Sequence, residues 1–254
     1  MSDNIIVETQ SRVVTIRINR PEKKNALTQA MYRGMAEGIR AAESDSAIRA
    51  VLLTGMNDCF TAGNDLGDFA KAAAGGPSDA VAFLQALAAA QKPVIAAVNG
   101  IAIGIGTTLL LHCDLVYAAT SARFQLPFVD LGLCPEAGSS LILPSRAGHQ
   151  RAAQLLFFGE PFGAEAARDL GLVNDVVAGD QLLATASGKA RQLAEKPPAA
   201  LRATKRLLKQ GVAAAVAEAM AREMQQFASS LQGPEAKEAM AAFLERRKPD
   251  FSRF

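Results

Sequence analysis

The sequence is short of the residues from which several common functional centres are built. It carries 2 histidines and 3 cysteines in 254 residues. Metal binding needs convergent His, Cys or carboxylate ligands at short spacing. Two histidines and the scattered Cys59, Cys113 and Cys134 do not supply them. The odd, wide spacing of the cysteines also points away from a disulfide framework and toward free thiols in a reducing compartment. Neither sign of charge dominates: 27 basic residues against 25 acidic leave +2, without the basic excess of a nucleic-acid or membrane-surface binder. Long apolar runs are missing as well. The longest, around 101–111, contains glycines and threonines and is too short for a span of ~20 residues. Met1-Ser2-Asp3-Asn4 has no basic leader region, so no secretory signal is expected. The final Asp250-Phe251-Ser252-Arg253-Phe254 is no clear peroxisomal or retention address. These absences predict a soluble cytoplasmic protein that engages neither nucleic acid nor membrane.

What is present suits an ordinary globular core, with 50% of residues apolar and 20% charged. Ile5–Thr9 and Val13–Ile18 are β-branched runs separated by polar Gln10-Ser11-Arg12, the pattern of a hairpin. Asn19-Arg20-Pro21 ends the second run, and Thr28 caps a helix predicted to reach Ala42. Further strands are expected at Ala50–Thr54, Val94–Val98, Leu115–Ala118 and Val173–Val177, with glycine loops after the first two. From Asp180 the pattern is helical, broken at Pro197-Pro198 and Gly233-Pro234. The expectation is an α/β core over 1–180 and a helical C-terminal region over 181–254. Lys71–Ser78 reads as a mobile surface segment, because small residues bury little against the entropy of ordering them.

Several catalytic patterns are excluded. No Gly-x-Ser-x-Gly elbow and no P-loop occurs. His112-Cys113-Asp114 looks like a cluster in text, but successive helical residues point ~100° apart and do not converge. Gly100, Gly104 and Gly106 follow a strand and open a helix, yet the third glycine of a dinucleotide fingerprint falls on Leu109. Two strand-to-glycine transitions remain, Phe60–Leu66 and Asn99–Gly106. Each either is a plain turn or exposes backbone N–H groups to a ligand. Two such donors aimed at one oxygen make an oxyanion hole.

Taken in order, these residues resemble the crotonase superfamily of enoyl-CoA hydratases and isomerases, most closely its 3-enoyl to 2-enoyl-CoA isomerases. The likeness runs through Asn19-Arg20-Pro21 with Asn25-Ala26-Leu27, both glycine loops, Cys113-Asp114, Leu131-Gly132 with Pro135, Ala166, Gly171-Leu172-Val173 and Phe243–Pro249. It implies a crotonase-like spiral of ββα units with a C-terminal helical trimerisation region, assembled as a trimer or a dimer of trimers. It also implies an acyl-CoA substrate whose thioester oxygen lies between the N–H groups of Asn64 and Ile105. Both donors are main-chain, so Ile in place of the hydratases' Gly at 105 is tolerated. The implied binding set is Lys24, Ala26, Ala62, Gly63, Asp65, Leu66, Gly106, Phe128, Phe243 and Arg246. Coenzyme A belongs to the substrate, and no metal or further cofactor is expected.

The carboxylates decide the reaction. Typical hydratases of that superfamily carry two glutamates, at the positions held here by Thr108 and Phe128. Neither residue activates water as a carboxylate does. Glu136, in Leu133-Cys134-Pro135-Glu136-Ala137-Gly138-Ser139-Ser140, matches the single catalytic glutamate of the isomerases. One carboxylate suffices for a 1,3-proton shift, with Phe128 as an apolar wall that raises the base's pKa. The other reading of Glu136 is a helix-start charge. Asp130 is the rival base, otherwise a surface charge. Asp65 shapes its loop through backbone hydrogen bonds. Lys24 and Arg246 meet CoA phosphates or are solvated charges, and Phe243 covers the nucleotide or fills helix core. Three other functions stay open: a β-oxidation hydratase, a non-catalytic acyl-CoA binder and a nicotinamide-dependent oxidoreductase.

Overall fold

The computed structural model describes residues 4–65, 67–68 and 78–254. Leu66 and residues 71–77 of the small-residue segment lie outside the described residues. Strands β1 (Ile5–Gln10) and β2 (Val13–Ile18) pair antiparallel through Ser11 and Arg12, at φ of 50° and 64°, a backbone twist suited to a two-residue hairpin. Thr28 caps α1 (Gln29–Ser44), its hydroxyl accepting the Met31 amide at 3.3 Å.

The chain then winds between two sheets. Strands β3 (Ala50–Gly55), β5 (Val94–Val98) and β7 (Leu115–Ala119) extend the first sheet in parallel. Each is followed by a short strand of the second: β4 (Cys59–Thr61), β6 (Ile101–Ile103) and β8 (Arg123–Gln125). Helices α2 (Asp79–Ala89) and α3 (Ile105–Thr108) precede the next crossings, so each circuit is one ββα turn of a spiral. Then α4 (Ser139–Ala147) and α5 (His149–Phe158) lead to β9 (Phe162–Gly163), α6 (Ala164–Asp169) and β10 (Asp175–Val177). The strand orders are β1-β2-β3-β5-β7-β10 and β4-β6-β8-β9.

Alternation along the large sheet divides the core. Val51, Leu53, Val94, Ala96 and Val98 face the main core with α1 and the small sheet. Ala50, Leu52, Ile95 and Ala97 face α7 (Gly179–Ala194). Helix α7 presents Leu182, Ala186, Ala190 and Ala194 at four-residue spacing, a single face on which small side chains permit close approach. The helical C-terminal region continues in α8 (Pro198–Gln232) and α9 (Pro234–Leu244), broken at the two expected positions. Met220, Phe227 and Leu231 of α8 pack against the core, whereas Leu207, Leu208 and Val212 are exposed. No described helix is long and apolar enough to cross a membrane.

Some expectations need correcting. The last large-sheet strand is Asp175–Val177, shorter than the expected Val173–Val177, because Val173 packs in the core after α6 and the Asn174 side chain accepts the Val116 amide. The two glycine loops also contain strands, β4 and β6, three residues each. Runs that short carry no alternation to read and are defined by their neighbours.

Candidate active site

The segment before α1 braces the first glycine loop. Asn25, fully buried, donates its amide to Met56 O and Cys59 O at 3.3 and 2.7 Å and accepts the Arg20 amide at 2.8 Å. The Arg20 guanidinium reaches Ala26 O at 3.0 Å and Asp65 at 2.8 Å. Ala62 N donates to Lys24 O. Leu27 N donates to Gly63 O at 2.8 Å, and Asp65 N to Leu27 O at 2.9 Å. In this parallel bridge the bonded groups belong to the neighbours of Asn64. The N–H of Asn64 itself is thereby turned away from Leu27. Its side chain is fixed too, since Tyr32 Oη donates to Asn64 Oδ1 at 2.6 Å. Asp65 accepts the Asp68 amide as well as pairing with Arg20.

The second loop ends at α3. Gly104 O accepts the amides of Thr107 and Thr108, and Ile105 is the first helical residue, where an N–H has no intrahelical acceptor. The Ile105 side chain is buried in the core. Two glycines let the loops meet. Gly63 has φ +87°, and a Cβ there would lie 2.7 Å from Ile103 O. A Cβ on Gly106 would lie 2.6 Å from Thr61 Cγ2.

Glu136 closes the cluster. Thr108 lies one turn after Ile105 on the same face of α3, and its hydroxyl donates to Glu136 Oε1 at 3.1 Å. The residue keeps a partly accessible edge, while protein atoms crowd its carboxyl group. That burial pushes the carboxyl up to about 7; the Thr108 hydrogen bond opposes the rise and the negative charge of Glu223 adds to it. Tyr32 is raised by burial and then by the charge of Glu136, which places the two near each other. Behind Glu136 the chain makes two consecutive left-handed residues, Ala137 (φ 61°) and Gly138 (φ 72°). His112 Nε2 lies 2.7 Å from Ala137 O. A carbonyl only accepts, so this nitrogen carries the proton. Burial depresses His112 to about 4, so it is neutral at working pH. The arrangement joins one enclosed carboxylate titrating near neutrality to two main-chain N–H groups without helical or bridge partners.

The sequence profile of the family described as Enoyl-CoA hydratase/isomerase matches residues 8–253. The chain belongs to the enoyl-CoA hydratase/isomerase family. It is 38% identical to the 2,3-dehydroadipyl-CoA hydratase of Escherichia coli, over 97% of this chain and 98% of that one. It is 35% identical to the 1,2-epoxyphenylacetyl-CoA isomerase of the same organism, over 99% of both. Among solved structures, Pseudomonas aeruginosa OdaA superposes with a TM-score of 0.94 at 46% identity, covering 96% of this chain and 100% of that one. An enoyl-CoA hydratase/isomerase from Pseudoalteromonas atlantica gives 0.94 at 43% identity, over 98% and 100%. The α/β spiral described above is the crotonase-like fold of this family.

Within this enoyl-CoA hydratase/isomerase, the residues read from sequence separate into groups. Ala26, Ala62, Gly63, Asn64 and Asp65 are tied together through the bonds given above, and Gly106, next to Ile105, closely approaches Thr61. Lys24 contributes its carbonyl there, and its side chain is exposed. Phe128 is buried, its carbonyl accepting the amides of Leu131 and Leu133. Leu66 lies outside the described residues. Phe243 is at the exposed far end of α9 and Arg246 is exposed just past it; among the described residues neither makes a hydrogen bond or ion pair to the two loops. Phe243 is therefore not helix core. Asp130 is exposed. The text cluster at 112–114 diverges: His112 meets Ala137, whereas Asp114 pairs with Lys205 at 2.6 Å and accepts the Val94 amide. Sequence reasoning missed Tyr32 and Glu223 altogether, and missed the Thr108 contact to Glu136. For Tyr32 a faint signal exists, as one of 2 tyrosines in the chain.

Proposed function

We propose that this family member is an enoyl-CoA isomerase that moves a 3-enoyl-CoA double bond to the 2-position. The observation that carries this reading is Glu136: one enclosed carboxylate, raised to about 7 and bonded by Thr108 where a hydratase-type pair would hold a second acid. Ionised Glu136 takes a proton from C2 of the 3-enoyl thioester. The electrons move into the C1 oxygen, giving a dienolate, and the N–H groups of Asn64 and Ile105 stabilise that oxygen. The same carboxyl returns the proton to C4, leaving the 2-enoyl ester and regenerated Glu136. A base with a pKa near the working pH suits both halves of this transfer. No cofactor beyond the CoA moiety of the substrate takes part. Phe128, at the other position where a hydratase-type pair holds an acid, is buried and carries no group that activates a water. The exposed apolar residues Leu207, Leu208 and Val212 on α8 fit burial against further copies in a homotrimer.

The hydratase names among the relatives favour a second reading, hydration of a 2-enoyl-CoA. One assay separates the two. Purified protein is given 3-hexenoyl-CoA or 2-hexenoyl-CoA, and conjugated-thioester absorbance and product are followed. Isomerisation predicts absorbance gained from the 3-enoyl ester and slow loss of the 2-enoyl ester. Consumption of 2-hexenoyl-CoA to a 3-hydroxyacyl product faster than isomerisation would exclude the isomerase reading.

A further inference from the structure

Glu223 is a buried carboxylate on α8 that the proton transfer does not use. Its Oε2 accepts the Gly138 amide at 2.5 Å and its Oε1 the Ser140 amide at 2.8 Å. These amides sit at the start of α4, where N–H groups lack intrahelical acceptors and Gly138 has no side chain with which to cap them. A carboxylate from outside supplies both acceptors and suits the positive end of the helix. With each oxygen engaged, Glu223 is a holder and not a second base. The packing is close: a Cβ on Gly138 would lie 3.3 Å from both Met220 Cγ and Val216 Cγ1 of α8.

The segment held this way is the one that presents Glu136. Gly138 is two residues beyond it, through Ala137 in a left-handed conformation that costs a non-glycine residue energy and persists only where surroundings enforce it. His112 grips one side of this turn at Ala137 O, and Glu223 grips the other. We propose that Glu223 is a positioning residue: it fixes the pose of Glu136 from the C-terminal helix and acts on it through charge, making α8 part of the catalytic apparatus.

This inference rests on the reading of Glu136 as the base. The groups facing Glu136 are Thr108 and Tyr32 from α3 and α1, Glu223 from α8, and Cys134 in its own loop. His112 is neutral. Among the described residues, Glu223 alone adds a full negative charge, so removing it lowers the Glu136 midpoint.

The test compares Glu223→Gln and Glu223→Asp with wild type. The Glu136 carboxyl is titrated by carbon-13 NMR, assigned from its loss in Glu136→Gln, beside the pH dependence of kcat/KM on 3-hexenoyl-CoA. Glu223→Gln is expected to lower the Glu136 midpoint and carry the acid limb of the rate profile with it. Its kcat should fall roughly 10-fold, with acyl-CoA affinity changed less than about twofold, because the lost interaction acts on the base and not on binding. Glu223→Asp retains the charge but is too short to hold both amides. It should keep the wild-type acid limb while losing kcat. A Glu223→Gln protein with the wild-type Glu136 midpoint and wild-type kcat overturns the proposal. A wild-type protein inert toward both esters, whose Glu136 midpoint still follows Glu223, supports the positioning role and removes the isomerase reading.

Discussion

The hydroxyl of Thr108 donates to Glu136 Oε1 at 3.1 Å, joining the first turn of α3 to the enclosed carboxylate. A neutral donor at that position favours the ionised form of Glu136 and so partly offsets the burial that raises it. Thr108→Val keeps the shape and removes the donor. Glu136 then titrates above its present value of about 7. Because the ionised form is the active base, the acid limb of kcat/KM moves to higher pH, and the rate at pH 7 falls more than the rate at pH 8.5. A pH profile of the variant checks both the direction and the limb.

Gly63→Ala tests the meeting of the two loops. The new Cβ would stand 2.7 Å from Ile103 O on a backbone at φ +87°, so the loop must shift and the Asn64 N–H with it. Misplacement of about 1 Å at a reacting centre costs roughly 100-fold in rate. A loss of that order in kcat, with the helical content unchanged by circular dichroism, is the expected result.

The large sheet, α1 and the two breaks of the C-terminal helices are legible in the sequence, because their strands and helix are long enough to show a period and their ends carry Thr28, Pro198 and Gly233. The small sheet is not, since Cys59–Thr61 and Ile101–Ile103 become strands only through pairing with each other. Helix α2 is also hidden: Ala, Leu and Phe surround it so evenly that no single apolar stripe stands out. At the site, Asn64, Ile105 and Glu136 are expected from glycine loops and family likeness, all local in sequence. What supports them is remote. Tyr32 reaches Asn64 across 32 positions and Glu223 reaches Gly138 across 85, and no spacing rule connects such pairs before the chain is folded.

His112 makes a pH-dependent contribution to stability. Its folded pKa of about 4 lies below the ordinary 6.5. The stabilisation it gives is complete above 6.5 and is lost as the pH falls toward 4, where the unfolded chain takes up the proton first. His112→Leu should lose roughly 1–3 kcal/mol at pH 7.5, since Ala137 O is left without its donor. The gap to wild type should narrow at pH 4.5. Urea unfolding of both proteins at the two pH values gives the comparison.

Glu136 is itself costly to the fold. A carboxyl raised from 4.5 to about 7 binds its proton more tightly when folded, so stability declines as pH rises through that window and stays lower above it. Glu136→Gln is expected to melt higher than wild type at pH 8 and at nearly the same temperature at pH 4, as scanning calorimetry would show.

The same substitution tests the single-base mechanism most directly. Glu136→Gln keeps the size and hydrogen-bonding capacity of the side chain and removes its basicity. Steady-state isomerisation of 3-hexenoyl-CoA is measured for Glu136→Gln and Asp130→Asn, beside calorimetric titration with a non-isomerisable acyl-CoA. A lone base that moves one proton predicts turnover lower by roughly 100- to 10,000-fold in Glu136→Gln, with binding changed by less than ~1 kcal/mol. Exposed Asp130 predicts a mild effect for its variant. Glu136→Gln retaining more than about a tenth of wild-type turnover, or Asp130→Asn proving the inactive one, would contradict the assignment of Glu136.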